Sequence, residues 1–140
     1  MSGPTNRTIT LTWFHATADG GSVFEDLDVA LPRERADAQG HVIAASNLYG
    51  SPTVQLAELP AGLDQTWHTA PRRQIVTILS GLVEVTTTDG ASRRFGPGQM
   101  FLADDMGGKG HLTRTVDGPA QVLFAPMPPE VDLTLWAGGS

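Results

Sequence analysis

The strongest constraint on this chain is how short its apolar runs are. Each alternates with polar residues for a few positions and then stops at Gly or Pro, and no segment longer than about ten residues carries helical periodicity. In "RTITLTWF" (Arg7–Phe14), Ile9, Leu11 and Trp13 share one face, and in "DLDVAL" (Asp26–Leu31), Leu27, Val29 and Leu31 do. "TVQLAEL" (Thr53–Leu59) alternates similarly. "RQIVTIL" (Arg73–Leu79) is apolar on both faces, as a central strand should be. "LVEVTTT" (Leu82–Thr88), "ASRRF", "QMFLA" (Gln99–Ala103), "HLTRTV" (His111–Val116) and "QVLFA" (Gln121–Ala125) follow, and "VDLTLW" (Val131–Trp136) reads as a last strand. Asp89–Gly90 is a two-residue hairpin signal, expected to form a type I′ turn. Sixteen Gly and ten Pro spread along the chain supply the turns. About nine or ten short strands without helices predict an all-β sandwich or barrel.

The 140 residues suit one domain spanning 1–140, with one sizeable core. A formal net charge of −6 argues against nucleic acid or an anionic membrane as partner. No apolar run is long enough for a spanning helix. "MSGPTNRTIT" lacks the apolar stretch of a secretory signal, so the cytoplasm is the expected location. Cysteine is absent, which excludes disulfides, thiolate catalysis and Cys-ligated metals.

Alternation predicts which polar groups turn inward. Gln74, Val76 and Ile78 share one face, and His68 has the same parity across the break at Pro71. His111 shares a face with Thr113 and Thr115. Two imidazoles and a carboxamide therefore converge if these strands are neighbours. Burying such groups without partners costs about 1–3 kcal/mol each.

"HTAPRRQIVTILSG" and "FGPGQMFLADDMGGKGH" resemble the two motifs of the cupin superfamily, at about 68–81 and 96–111. "WHTAPRRQ" and "GPG…GKGH" look closest to a subgroup of single-domain cupins. The resemblance implies a double-stranded β-helix, or jelly-roll, barrel. It also implies a metal site of three His and one Glu. On the first motif, His68 falls at the first His, Ala70 where the second belongs and Gln74 where Glu belongs; His111 closes the second motif. His68, Gln74 and His111 thus remain as a degraded ligand set without an anionic member. Asp104 and Asp105 are the nearest further carboxylates, although turn residues are more often solvated.

The leading expectation is an enzyme with an apolar pocket for a bulky organic, polyketide-like substrate of specialised metabolism: an acid–base cyclase, isomerase or lyase. His68, His111, Gln74 and Arg72 are the candidate catalytic groups, with Arg72 as binder of a substrate carboxylate or enolate. Trp67, Val76, Ile78, Tyr49, Met100 and Met106 are the expected pocket residues. The alternatives are a metal-dependent oxygenase or lyase using one divalent ion on His68, Gln74 and His111, and a non-catalytic ligand-binding barrel. Lys109 in its Gly-rich turn reads as a flexible tip, and His15 and His41 as surface or loop residues. The family implies a homodimer, with the strand ending at Trp136 as a candidate contact.

Overall fold

The computed structural model describes residues 7–133. Among the described residues twelve strands follow one another: β1 (Thr8–Ala16), β2 (Ser22–Ala30), β3 (Arg33–Ala36), β4 (Val42–Ala45), β5 (Gln55–Leu59), β6 (Asp64–His68), β7 (Gln74–Ser80), β8 (Val83–Thr86), β9 (Ser92–Phe95), β10 (Met100–Asp104), β11 (His111–Thr115) and β12 (Ala120–Pro126). They form a six-stranded sheet in the order β2-β1-β10-β7-β12-β5, a four-stranded sheet β6-β11-β8-β9 and a separate hairpin β3-β4. β1 pairs with β10 in parallel, and the remaining pairs are antiparallel. This is the expected all-β jelly roll: two sheets whose facing sides share a core. Among the described residues no helix is long and apolar enough to cross a membrane.

The pleat sorts apolar residues into two layers. Phe14, Val76, Ile78, Phe101 and Val122 of the larger sheet meet Val83, Val85 and Phe95 of the smaller one. Residues of opposite parity, Leu11, Leu102 and Ile75, turn to the outer face of the larger sheet with Val29. Met127, Val131 and Leu133 cover that outer layer. Arg73 ties this segment down: Nη1 donates to Val131 O at 2.9 Å, and Nε donates to Asp104 Oδ1 at 2.9 Å. The terminal strand expected over Val131–Trp136 does not form at Val131–Leu133, which close over their own sheet; the rest lies outside the described residues.

Three strands escaped the sequence reading. β3 and β4 are exposed along nearly their whole length, so no buried face marks them. β6 begins with three exposed polar residues, Asp64, Gln65 and Thr66, and buries only its end. The Asp89–Gly90 turn is not type I′. Gly90 alone takes a positive φ, of 88°, and Thr87 N bonds Ala91 O across a three-residue loop. The Asp89 carboxylate accepts from Thr87 Oγ1 and Ala91 N, which holds its carboxyl below the ordinary aspartate range.

On the outer face of the smaller sheet, Glu84 accepts from Arg114 Nε at 2.7 Å and Arg94 Nε at 2.9 Å. The Arg114 hydrogen bond, then that of Arg94, holds the Glu84 carboxyl below its usual value. A depressed folded-state value stabilises the fold above the unfolded carboxyl pKa of ~4.3 and is lost as pH falls through the folded one. Both arginines are well exposed, so Glu84→Gln should cost at most about 1 kcal/mol at pH 7. Urea midpoints of the two proteins should converge as the pH is lowered below that range; a difference that grows in acid would refute this assignment.

Candidate active site

β6 and β11 are antiparallel neighbours, and their register sets His68 directly opposite His111. The two imidazoles face each other with ring centroids 4.4 Å apart. This close approach depends on Gly110, which sits at φ +84° against the His68 carbonyl. Ser22, fully buried, donates through Oγ to Gly110 O at 2.7 Å, and Lys109 N bonds Gly20 O at 2.9 Å. The Gly-rich turn before His111 is therefore docked on the β1–β2 turn, not a free tip.

Each ring has its Nδ1 engaged. His111 Nδ1 lies 2.6 Å from Oδ2 of Asp105, whose side chain is completely buried. The other carboxylate oxygen, Oδ1, accepts from Ala70 N at 3.3 Å. His68 Nδ1 lies 2.7 Å from Thr66 O. A carbonyl oxygen only accepts, so His68 Nδ1 carries a hydrogen; a carboxylate likewise favours Nδ1–H on His111. Both Nε2 atoms then hold the free lone pairs, and neither has a protein partner among the described residues. Phe14 packs against His111 at 4.7 Å between ring centroids and fixes its tilt.

A cavity of about 420 Å³ opens in front of these rings, within the ~300–1,000 Å³ range of small-molecule sites. His68, His111 and Gln74 line it, as expected from their parity, together with Val76. Leu59, Val83, Phe101 and Phe124 form apolar walls, and Gln65, Thr69 and Thr113 add polar groups. The Gln74 carboxamide is without a hydrogen-bond partner among the described residues.

The other expected site residues lie elsewhere. Arg72 is exposed and does not line the cavity. Trp67 has the opposite parity to His68 and lies under Lys109, with Nζ 4.6 Å from the ring centroid. Ile78 is sealed in the core, one step deeper than Val76. Met100 belongs to the outer-face layer, and Met106 is 44% exposed. Tyr49 borders a shallow groove with Ile75 and Met127 on the outside of the larger sheet. His15 stacks on Trp13 in β1 at 3.9 Å, and His41 pairs with Asp37 at 2.9 Å in the β3–β4 turn.

Asp105, in the sequence a candidate metal carboxylate, instead holds the His111 ring. Phe101, Ala103 and Asp105 have one parity, so the alternation that turns Phe101 inward also points to Asp105. Its neighbour Asp104 turns outward with Leu102, where it accepts from Arg73 Nε and from Trp13 Nε1 at 3.0 Å.

The metal centre that the cupin resemblance implies does not fit these residues. The position of the second His is a buried methyl, Ala70, and that of the Glu is the neutral Gln74. The nearby carboxylate, Asp105, is committed to the far side of His111 and to Ala70 N. What remains is two imidazoles and a carboxamide, without the anionic ligand of such sites. Among the described residues no group of three or more His, Cys, Asp or Glu is placed to hold a metal ion.

No family model matches the chain, and no curated protein matches it. Several solved structures are similar to it. The conserved SPY1581 protein of unknown function from Streptococcus pyogenes is 29% identical over 56% of this chain and 65% of its own, with a TM-score of 0.44. The DMSP lyase DddQ from Ruegeria pomeroyi DSS-3 is 27% identical over 72% of this chain and 50% of its own, with a TM-score of 0.47. The cupin domain of Cnp3 from Schizosaccharomyces pombe is 15% identical over 89% of this chain and 86% of its own, with a TM-score of 0.43. The chain thus spans less than two thirds of the SPY1581 protein and half of DddQ.

Proposed function

We propose that this protein is a metal-independent enzyme that moves a proton on a small organic carbonyl compound, as an isomerase, cyclase or lyase does. The observation that carries the reading is the buried Asp105–His111 pair at the wall of an apolar cavity, with His68 directly across from it. His111 Nε2 removes a proton from the carbon next to a substrate carbonyl. The released electron pair forms the enolate, whose oxygen accepts a hydrogen bond from the Gln74 amide. His68, when its Nε2 carries a proton, donates that proton to a different carbon or to a leaving oxygen, which completes the double-bond shift or elimination, and the proton held by His111 then passes to His68, directly or through water, to restore both rings. The apolar walls hold a ring-bearing, polyketide-like substrate in the reactive conformer and exclude water.

The test uses one- and two-ring enolisable ketones, 1-tetralone among them, in deuterated water, with loss of the α-proton signal followed by NMR. The protein should accelerate exchange at least about tenfold over imidazole at equal concentration, and His68→Ala should remove at least about tenfold of the rate. No acceleration with any of these ketones overturns the proposal and leaves a ligand-binding barrel as the reading.

A further inference from the structure

We infer that the cavity selects uncharged ligands and rejects carboxylates and phosphates of the same shape. This rests on the cavity being the ligand site of the proposed enzyme, though not on any proton transfer within it. None of its lining residues among those described is Arg, Lys, Asp or Glu. The cations carried by the two motifs are held elsewhere: Arg73 on Asp104, Lys109 over Trp67, and Arg72 in solvent. Behind His111, the buried Asp105 carboxylate adds negative charge to the cavity wall. An anion entering here loses its hydration and gains no fixed counter-ion. A neutral carbonyl or hydroxyl loses far less. It finds the Gln74 amide, the Thr69 and Thr113 hydroxyls and two imidazole Nε2 atoms as partners, while its hydrocarbon body meets Phe101 and Phe124.

The two arrangements of charge are separable with a near-isosteric pair, 2-naphthamide and 2-naphthoate, titrated into the full chain at pH 8 by calorimetry and by NMR of the His ring protons. The amide should bind at least tenfold more tightly and shift the His68 and His111 ring signals. Gln65 is exposed and lines the cavity, so Gln65→Lys places a cation there without burying it in the core. That variant should narrow or reverse the preference. Equal or tighter binding of naphthoate by the unaltered protein overturns the inference, and so does failure of both probes to bind up to millimolar concentration. The amide preference is read from equilibrium binding and needs no proton transfer. A failure of ketone exchange therefore counts against the catalytic reading alone, whereas a failure of charge selectivity counts against this one alone.

Discussion

Asp105→Asn, with His111 untouched, is expected to slow ketone proton exchange by about a hundredfold, as much as His111→Ala. The reasoning is geometric. Oδ1 of Asp105 accepts from Ala70 N, so in the variant the amide oxygen takes that place and the NH2 group faces His111 Nδ1. An NH2 group donates, and His111 must then accept at Nδ1 and carry its hydrogen on Nε2. The lone pair is thereby turned away from the cavity while ring position and packing stay the same. Two further readouts separate this from damage to the fold. The ring nitrogen shifts of His111 should report the inverted tautomer, and the thermal midpoint should move far less than a misfolded site would require. An inverted tautomer with an unchanged exchange rate would show that the Nε2 lone pair plays no part in the chemistry.

The inward set of this site was legible because period-two alternation is a local rule. Gln74 and Val76 lie where the parity of β7 puts them, and His68 and His111 meet because both sit at strand ends with inward parity. Alternation fixes a side chain's face but not its depth or its lateral neighbour. Ile78 has the right face and lies too deep, and Met100 has the wrong face altogether. Arg72 shares the parity of His68 in the sequence, but β7 begins at Gln74 and the bend before it leaves Arg72 in solvent. Asp105 shows the opposite error. Its parity was readable from Phe101 and Ala103, yet it lies just past the end of β10, where a carboxylate is ordinarily solvated. Only the docking of the Gly-rich turn on Gly20 and Ser22 brings His111 back over it, a contact between segments nearly ninety residues apart in sequence.

Gly110→Ala should be among the most damaging single substitutions in the chain, costing at least about 4 kcal/mol or abolishing folding. Two effects add at this position. Its φ of +84° costs an L-residue about 1–2 kcal/mol. A Cβ there would also stand 1.9 Å from the His68 carbonyl oxygen and 2.7 Å from Thr69 N, both backbone atoms that cannot swing aside. Relief requires β6 and β11 to separate, and that separation pulls His68 away from His111. Gly98→Ala isolates the first effect, because its φ is +83° and a Cβ there meets nothing within 4 Å. It should cost only about 1 kcal/mol and leave ligand binding unchanged. Urea midpoints of the two variants give the difference that belongs to the steric contact. Should Gly110→Ala yield no folded protein, Ser22→Ala probes the same junction more gently, since it removes the hydroxyl that holds the Gly110 carbonyl. Equal costs for Gly110→Ala and Gly98→Ala would mean that the two strands are not in contact at this point. His68 and His111 would then not be cross-strand neighbours, and the acid–base pair would lose its geometric basis.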